Sequence, residues 1–333
     1  MTRVVRFDHY GGPEVLRIDD IVVPRPGAAE VRIVVKAIGL NRAESMFRRG
    51  QYLEAAQFPS RLGYEAAGVV ESVGDQVSQF AIGDIVSLIP PSSIAQWGTY
   101  AELAVVPAAM LVKHPPTLSF AEASAVWMQY VTAWGALVHV ARLQPGEFVL
   151  ITAASSSVGL AAIQIANQVG AIPIAVSRTR SKREQLLAAG AAYAVASTDE
   201  DFVQQVEQIT AGAGARVIFD PVGGPFLERL VDVATVGGIV LVYGALSPEP
   251  VLFPLFKVLG KSLALRGYLL HEISSQPALL EAAKAYVVAG LDAGTLRPII
   301  AKTFAFEQIV EAHRYLEAGE QFGKVVVSLE SGS

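Results

Sequence analysis

The sequence predicts an α/β protein of two domains, a mostly antiparallel β domain followed by a doubly wound parallel sheet. Three observations predict it. The 333 residues suit about two domains of ordinary size. From Phe148 onward, short apolar runs alternate with helical periods, the pattern of successive βα units. Before Ser119 the apolar runs are divided by turn residues at 11–13, 24–27 and 74–75, as in short antiparallel strands.

The first strands are read at Val31–Lys36, Gly68–Val73 and, after Gly83-Asp84, Ile85–Ile89. Ser119-Phe-Ala-Glu122 has capping-box spacing and opens an alanine-rich helix running to about Arg142. Phe148–Thr152 then reads as a strand, Val158–Val169 as a helix and Ile172–Val176 as a strand. Ser181–Ala189 reads as a helix stopped by Gly190, with Ser181 and Glu184 spaced as its capping box. Strands follow at Ala192–Ala196, Arg216–Phe219, Gly238–Tyr243 and Ser262–Arg266. The tail holds a helix ending near Gly290, an extended Ile299–Phe304, a helix over Phe306–Ala318, and a strand Gly323–Ser328 that is expected to return to the first domain.

Composition narrows the chemistry. There is no cysteine, which excludes disulfides, a thiolate nucleophile and cysteine-ligated zinc or iron–sulfur clusters. A net charge of −5 and a pI near 5.6 argue against a broad nucleic-acid footprint, which needs a basic surface. Mean hydropathy is +0.41, but the longest apolar region, Phe148 to Ser177, is broken by Ser155-Ser156-Ser157, Gln164, Asn167 and Gln168. It is too interrupted to span a bilayer, and parallel strands buried on both faces account for the hydropathy. Charges at Arg3, Arg6 and Asp8 stand where a signal peptide has its apolar core, so a cytoplasmic protein is expected, with no membrane partner.

The strand at Phe148 runs into Ala153-Ala-Ser-Ser-Ser-Val-Gly159 and then a helix, the context in which a dinucleotide fingerprint carries meaning. Its three fingerprint positions are Ala154, Ser156 and Gly159, so only the last glycine is kept. Small residues still allow close backbone approach, and a helix N-terminus offers free N–H groups to a pyrophosphate. The alternative is a tight turn that only packs helix on sheet. NAD enzymes place an acid at the end of the next strand, about 20 residues on, for the ribose 2′-hydroxyl. Here that place holds Ser177, followed by Arg178, Thr179, Arg180, Lys182 and Arg183. Cations in a first helical turn oppose the macrodipole, and a bound 2′-phosphate reverses the sign. This favours NADPH over the alternative of a plain solvated basic face. Two glycine turns, Asp220-Pro-Val-Gly-Gly224 with Val222, and Tyr243-Gly244-Ala245, follow later strands and face the same crevice, or are simply turns.

Together, Gly39-Leu-Asn-Arg-Ala-Glu44, Gly63-Tyr-Glu-Ala-Ala-Gly68-Val-Val-Glu-Ser-Val-Gly74, Gly83-Asp84-x-Val86, Gly98-Thr-Tyr-Ala-Glu102, Thr132-Ala-Trp134, the Ala153–Gly159 turn, Asp220-Pro-Val-Gly-Gly224 and Gly323-Lys-Val-Val326 resemble the medium-chain dehydrogenase/reductase superfamily. The resemblance is to its zinc-free quinone oxidoreductase branch, with the zeta-crystallin-like enzymes, and covers essentially the whole chain. It implies a Rossmann domain over 123–295 and a GroES-like catalytic domain over 1–122, completed by 296–333. Zinc-dependent alcohol dehydrogenases of the superfamily have Cys where this chain has Asn41, and His-Glu where it has Tyr64-Glu65. The five histidines, His9, His114, His139, His271 and His313, show no ligand-like pair, so no metal is expected.

The resemblance further implies that Asn41 and Tyr52 lie beside the nicotinamide, while a second active-site tyrosine of some members is Met46 here. It implies that Thr132 contacts the nicotinamide end, that Ser156, Ser157, Val158 and Gly159 form the pyrophosphate turn, and that Ser177, Arg178, Thr179 and Lys182 surround the 2′-phosphate. Val222, Tyr243, Gly244, Ala245 and Lys324 match further cofactor contacts. Glu65 is left a structural role, and a homodimer is expected. Without zinc, hydride transfer is easiest onto a quinone or an α,β-unsaturated carbonyl, whose developing charge neutral donors can hold. Asn41, Tyr52 and Tyr64 are the candidate donors, each tyrosine being alternatively a pocket wall. Substrate choice is placed in the loops 46–61, 90–97 and 268–275, and Trp127 in the core. The competing readings are a non-catalytic NADPH-binding protein and, against the ligand positions, a zinc alcohol dehydrogenase.

Overall fold

A computed structural model describes residues 1–330. The chain forms two compact units, Met1–Met128 with the residues from Pro298 onward, and Gln129–Arg297.

The first unit is built on a seven-stranded sheet in the order Ile300–Ala305, Lys324–Ser328, Glu30–Leu40, Glu65–Val73, Ile85–Leu88, Leu111–Lys113, with Leu103–Pro107 also pairing Glu30–Leu40. Every pairing is antiparallel except that of Ile300–Ala305 with Lys324–Ser328. The last strand does return to this sheet, setting Val325 opposite Leu40. Its core packs Val31, Ile33, Ile38, Leu40, Phe47, Tyr64 and Val325. A two-stranded ribbon, Thr2–Arg6 with Arg17–Ile21, was not foreseen. Its solvent side is charged, with Arg6 bonded to Asp19 at 2.8–2.9 Å, so it lacks the apolar run that marks a buried strand.

The second unit is a six-stranded, wholly parallel sheet in the order Tyr193–Ala196, Ile172–Ser177, Phe148–Ile151, Ala215–Asp220, Ala234–Val242, Ala264–Gly267. Numbered along the chain, this is the order 3-2-1-4-5-6 of a doubly wound nucleotide fold. Val149, Leu150, Ile151, Ile174, Val176, Val217, Ile218 and Phe219 are all buried. These two-sided buried strands are the source of the high mean hydropathy, and no helix among the described residues is long and apolar enough to cross a membrane.

Two helix expectations need correction. The single helix from Ser119 to Arg142 is instead Phe120–Ala123 and Trp127–Trp134, the latter running into a wider π turn over Gly135–Val140. The opening capping box forms, with Glu122 N donating to Ser119 Oγ at 3.2 Å and Ser119 N to Glu122 Oε2 at 2.8 Å. The break has a packing cause. The Ser124 carbonyl sits so close to Gly39 that a Cβ there would lie 2.0 Å from it. Trp127, buried as expected, gives its indole N–H to Ser87 Oγ at 2.8 Å. The box expected at Ser181 and Glu184 is absent. A 3-10 turn, Arg180–Lys182, leads into helix Arg183–Ala188, which has no side-chain cap, and Ser181 Oγ bonds Thr179 Oγ1 at 2.8 Å.

Candidate active site

In the second unit, the parallel sheet gathers the ends of four strands along one edge. Strand Phe148–Ile151 enters its turn through Ala153, whose φ is +45°, and Ser156 caps the following helix Ser157–Val169 by accepting from Gly159 N at 3.1 Å. A Cβ on Gly159 would lie 2.6 Å from the Ala154 backbone. The one retained glycine is therefore the one that seats the helix against the strand. Beside it, Asp220 is fully buried and shapes the next turn, accepting from Val222 N at 3.1 Å, Gly223 N at 2.8 Å and the Thr152 hydroxyl. Ser247 N donates to Val222 O at 2.9 Å, which ties the Tyr243-Gly244-Ala245 segment to that turn. Tyr243 stacks on Phe219 at 3.9 Å.

Ser177 ends the second strand, buried, with its hydroxyl on Thr179 O at 2.8 Å. Arg178 and Thr179 are exposed, Arg180 is paired with Asp199 at 2.9 Å, and Lys182 Nζ reaches Ser155 Oγ at 3.1 Å. The basic segment thus already touches the first turn. All the expected cofactor residues from Ser156 to Ala245 lie on this edge or beside it, while Thr132 is buried in helix Trp127–Trp134.

In the first unit, Asn41, Tyr52, Tyr64 and Lys324 converge. Asn41 precedes helix Arg42–Arg48, and its backbone N–H is taken by Glu44. Lys324 Nζ donates to Asn41 Oδ1 at 2.7 Å and to Glu65 Oε2 at 2.5 Å, and Glu65 Oε1 accepts from Met128 N at 3.0 Å. An ammonium can only donate, so it fixes which amide atom of Asn41 faces it. Asn41 Nδ2 then donates to Gly39 O and Glu44 Oε1, both at 3.1 Å. Both amide hydrogens are thereby engaged inside the protein. Glu44 also accepts from Tyr64 N at 3.1 Å; burial raises its pKa to about 7, against the pull of Asn41 and Lys324.

The Tyr64 hydroxyl donates to the Tyr52 hydroxyl at 3.2 Å. Burial raises both phenol pKa values, Tyr64's the more, so both are protonated at neutral pH. The hydrogen of Tyr52 has no acceptor among the described residues. Glu44 and the neutralisation of Glu65 by Lys324 were not anticipated, although Asn41-x-x-Glu44 at a helix start is a capping-box spacing.

Residues 157–285 match the zinc-binding dehydrogenase family and residues 27–116 the alcohol dehydrogenase GroES-like domain. Human quinone oxidoreductase is 31% identical over 99% of this chain and 98% of its own. The chain belongs to the quinone oxidoreductases of the medium-chain dehydrogenase/reductase superfamily. Within this family, the solved Escherichia coli quinone oxidoreductase complexed with NADPH is 29% identical, with a TM-score of 0.92 over 98% of this chain and 100% of that one. A 2-haloacrylate reductase from a Burkholderia species is 29% identical over 95% of this chain and 96% of its own. As a quinone oxidoreductase homologue the chain is an oxidoreductase with the family's Rossmann and GroES-like architecture. The zinc in the first family's description is a poor fit to this donor set. An amide and a phenol stand at the thiolate and imidazole positions, and the adjoining carboxylate already carries a lysine ammonium.

Proposed function

We propose that the protein is an NADPH-dependent, zinc-independent cytoplasmic reductase that transfers hydride to a quinone or an α,β-unsaturated carbonyl. The observation that carries this reading is the tyrosine pair, whose outer hydroxyl hydrogen is unclaimed beside an asparagine locked by Lys324. NADPH, when bound, supplies the hydride. Ser156, Ser157, Val158 and Gly159 would hold its pyrophosphate through backbone N–H groups, and Ser177, Arg178, Thr179 and Lys182 its 2′-phosphate. Thr132, Val222, Tyr243, Gly244 and Ala245 are assigned to the ribose and nicotinamide. Asn41 and Lys324 are assigned to the nicotinamide end of the cofactor; both amide hydrogens of Asn41 are already engaged, so Asn41 does not donate to the acceptor. Tyr52 donates to the acceptor oxygen as negative charge develops on it, and Tyr64 supports Tyr52 by donating to it. A conjugated acceptor suits this neutral donor set, because its charge spreads to an enolate or hydroquinone oxygen. The names of the relatives, a quinone oxidoreductase and a 2-haloacrylate reductase, favour the same acceptor class.

The test is NADPH or NADH oxidation with a naphthoquinone and a short enone, with and without chelator. Turnover with NADPH that resists chelation is expected, and Arg178→Gln/Lys182→Gln should raise the NADPH KM about tenfold or more while leaving NADH unchanged. Activity lost to chelator and restored by zinc would overturn the reading. Tight NADPH binding without turnover of any acceptor would instead mark a non-catalytic binding protein.

A homodimer is part of the proposal. The outer edge of strand Ala264–Gly267 pairs with no further strand among the described residues, and the segment before it in the chain exposes Leu252 (77%), Phe253, Phe256 (85%) and Leu259. Such an apolar patch with an open strand edge suits a second copy of the same unit, which can present both to itself about a two-fold axis. Sedimentation should give twice the 35.3 kDa chain mass, falling to one chain for Leu252→Glu/Phe256→Glu. A wild-type protein sedimenting as a single chain at micromolar concentration would refute it.

A further inference from the structure

The first unit holds a second chemical feature beside the tyrosine pair. A cavity of about 380 Å³ is lined by the loop residues Glu54, Gln57, Ser60 and Arg61 on one side and Ser93 and Gln96 on the other. Its two charged side chains are in different states. The carboxylate of Glu54 is satisfied, accepting from Ser93 Oγ at 2.6 Å and from Ile94 N at 2.9 Å. The guanidinium of Arg61 makes one bond, from Nη2 to Gln96 O at 2.8 Å, and no carboxylate pairs with it among the described residues. Burial lowers its pKa, and Arg6, itself held by Asp19, adds like-charge repulsion.

A partly buried cation that lacks an anion and faces a polar cavity is left electrostatically incomplete, and an anionic group entering that cavity completes it. The backbone that carries Arg61 is fixed: Leu62 N lies 2.9 Å from where a Cβ on Gly98 would stand, and Leu62 O accepts from Tyr100 N at 3.1 Å. Arg61 is therefore presented from a rigid base, with most of its donors uncommitted. The Glu54 wall of the cavity follows Tyr52 closely in the chain. Glu54, one of its walls, acts electrostatically on both Tyr52 and Tyr64.

We propose that Arg61 is a specificity-determining residue that binds a carboxylate on the acceptor, so that the preferred substrates are anionic conjugated carbonyl compounds. This rests on the reductase reading above. A planar guanidinium recognises a carboxylate through paired N–H donors, and the Glu54 wall confines the anion to the Arg61 side. The remainder of the acceptor then extends toward Tyr52.

The experiment compares 3-benzoylacrylate with its methyl ester, two enones that differ in charge alone, with NADPH as donor. The wild type should reduce the acid with a kcat/KM about tenfold above the ester. In Arg61→Gln that ratio should fall to about one through a higher KM for the acid, with the ester unchanged, and Arg61→Lys should keep an intermediate preference. Equal losses on both acceptors would show that Arg61 only clasps the two loops through Gln96, and would overturn the proposal. So would an acid-to-ester ratio that the variants leave unaltered. Benzoate binding followed by calorimetry separates this from the failure of the reductase reading. A wild type that turns over neither enone, yet binds benzoate in an Arg61-dependent way, would sink the reductase reading and keep the anion site. Inhibition by inorganic phosphate as strong as that by benzoate would identify a free-anion site and overturn the assignment to an acceptor carboxylate.

Discussion

Lys324→Met should lower the folded chain's stability by about 3–5 kcal/mol, seen as an earlier midpoint in chemical denaturation. The Lys324 ammonium and the Glu65 carboxylate are both essentially inaccessible to solvent and lie 2.5 Å apart. Removing the cation leaves a buried carboxylate whose other bond, from Met128 N, cannot replace the lost charge. Asn41 loses the donor that orients its amide, so that orientation relaxes as well. The companion variant Lys324→Met/Glu65→Gln removes both charges and keeps an acceptor for Met128 N. It should regain most of the stability, because paired buried charges exchanged for neutral groups cost far less than one orphaned charge. If single and double variants were equally destabilised, packing of the lysine stem would be its contribution, and the electrostatic account would fail.

The second large effect belongs to the tyrosines. Tyr52→Phe should reduce kcat by about 10²–10³, with little change in the KM of a neutral enone, the signature of a donor that acts on developing charge. Tyr64→Phe should cost about tenfold, since its hydroxyl acts through that of Tyr52. Because the second residue works through the first, the double variant should be no slower than Tyr52→Phe alone. Additive losses would mean that the phenols act separately. A Tyr52→Phe enzyme retaining half its kcat would remove the tyrosine from the chemistry.

How much of this was legible in the sequence depends on how far each interaction reaches along the chain. The parallel strands are plain at Val149–Ile151 and Val217–Phe219, because burial on both faces leaves an unbroken apolar run. The strand, turn and helix around Ala153–Gly159 are legible for a similar local reason, since strand, small residues and helix follow one another within a dozen positions. The Arg17–Ile21 strand was hidden because Arg17, Asp19 and Asp20 are charged and its two isoleucines, three positions apart, show no period of two. The helix break at Ser124 was hidden because its cause, close approach to Gly39, lies far back in the chain. Asn41 could be located by motif, but not its condition. Its amide is engaged by a lysine 283 residues away, and no local pattern reports that Lys324 holds Asn41 and Glu65 together.

That separation also bears on how the protein is made. Glu65 and Asn41 are synthesised 259 and 283 residues before the lysine that bonds both, which lies on a strand inserted between Ile300–Ala305 and Glu30–Leu40. While the ribosome is still short of Lys324, the nascent first unit has an unpaired strand edge and a carboxylate without its cation. The sheet of the first unit is therefore complete only when the strand that carries Lys324 has entered between its two neighbours.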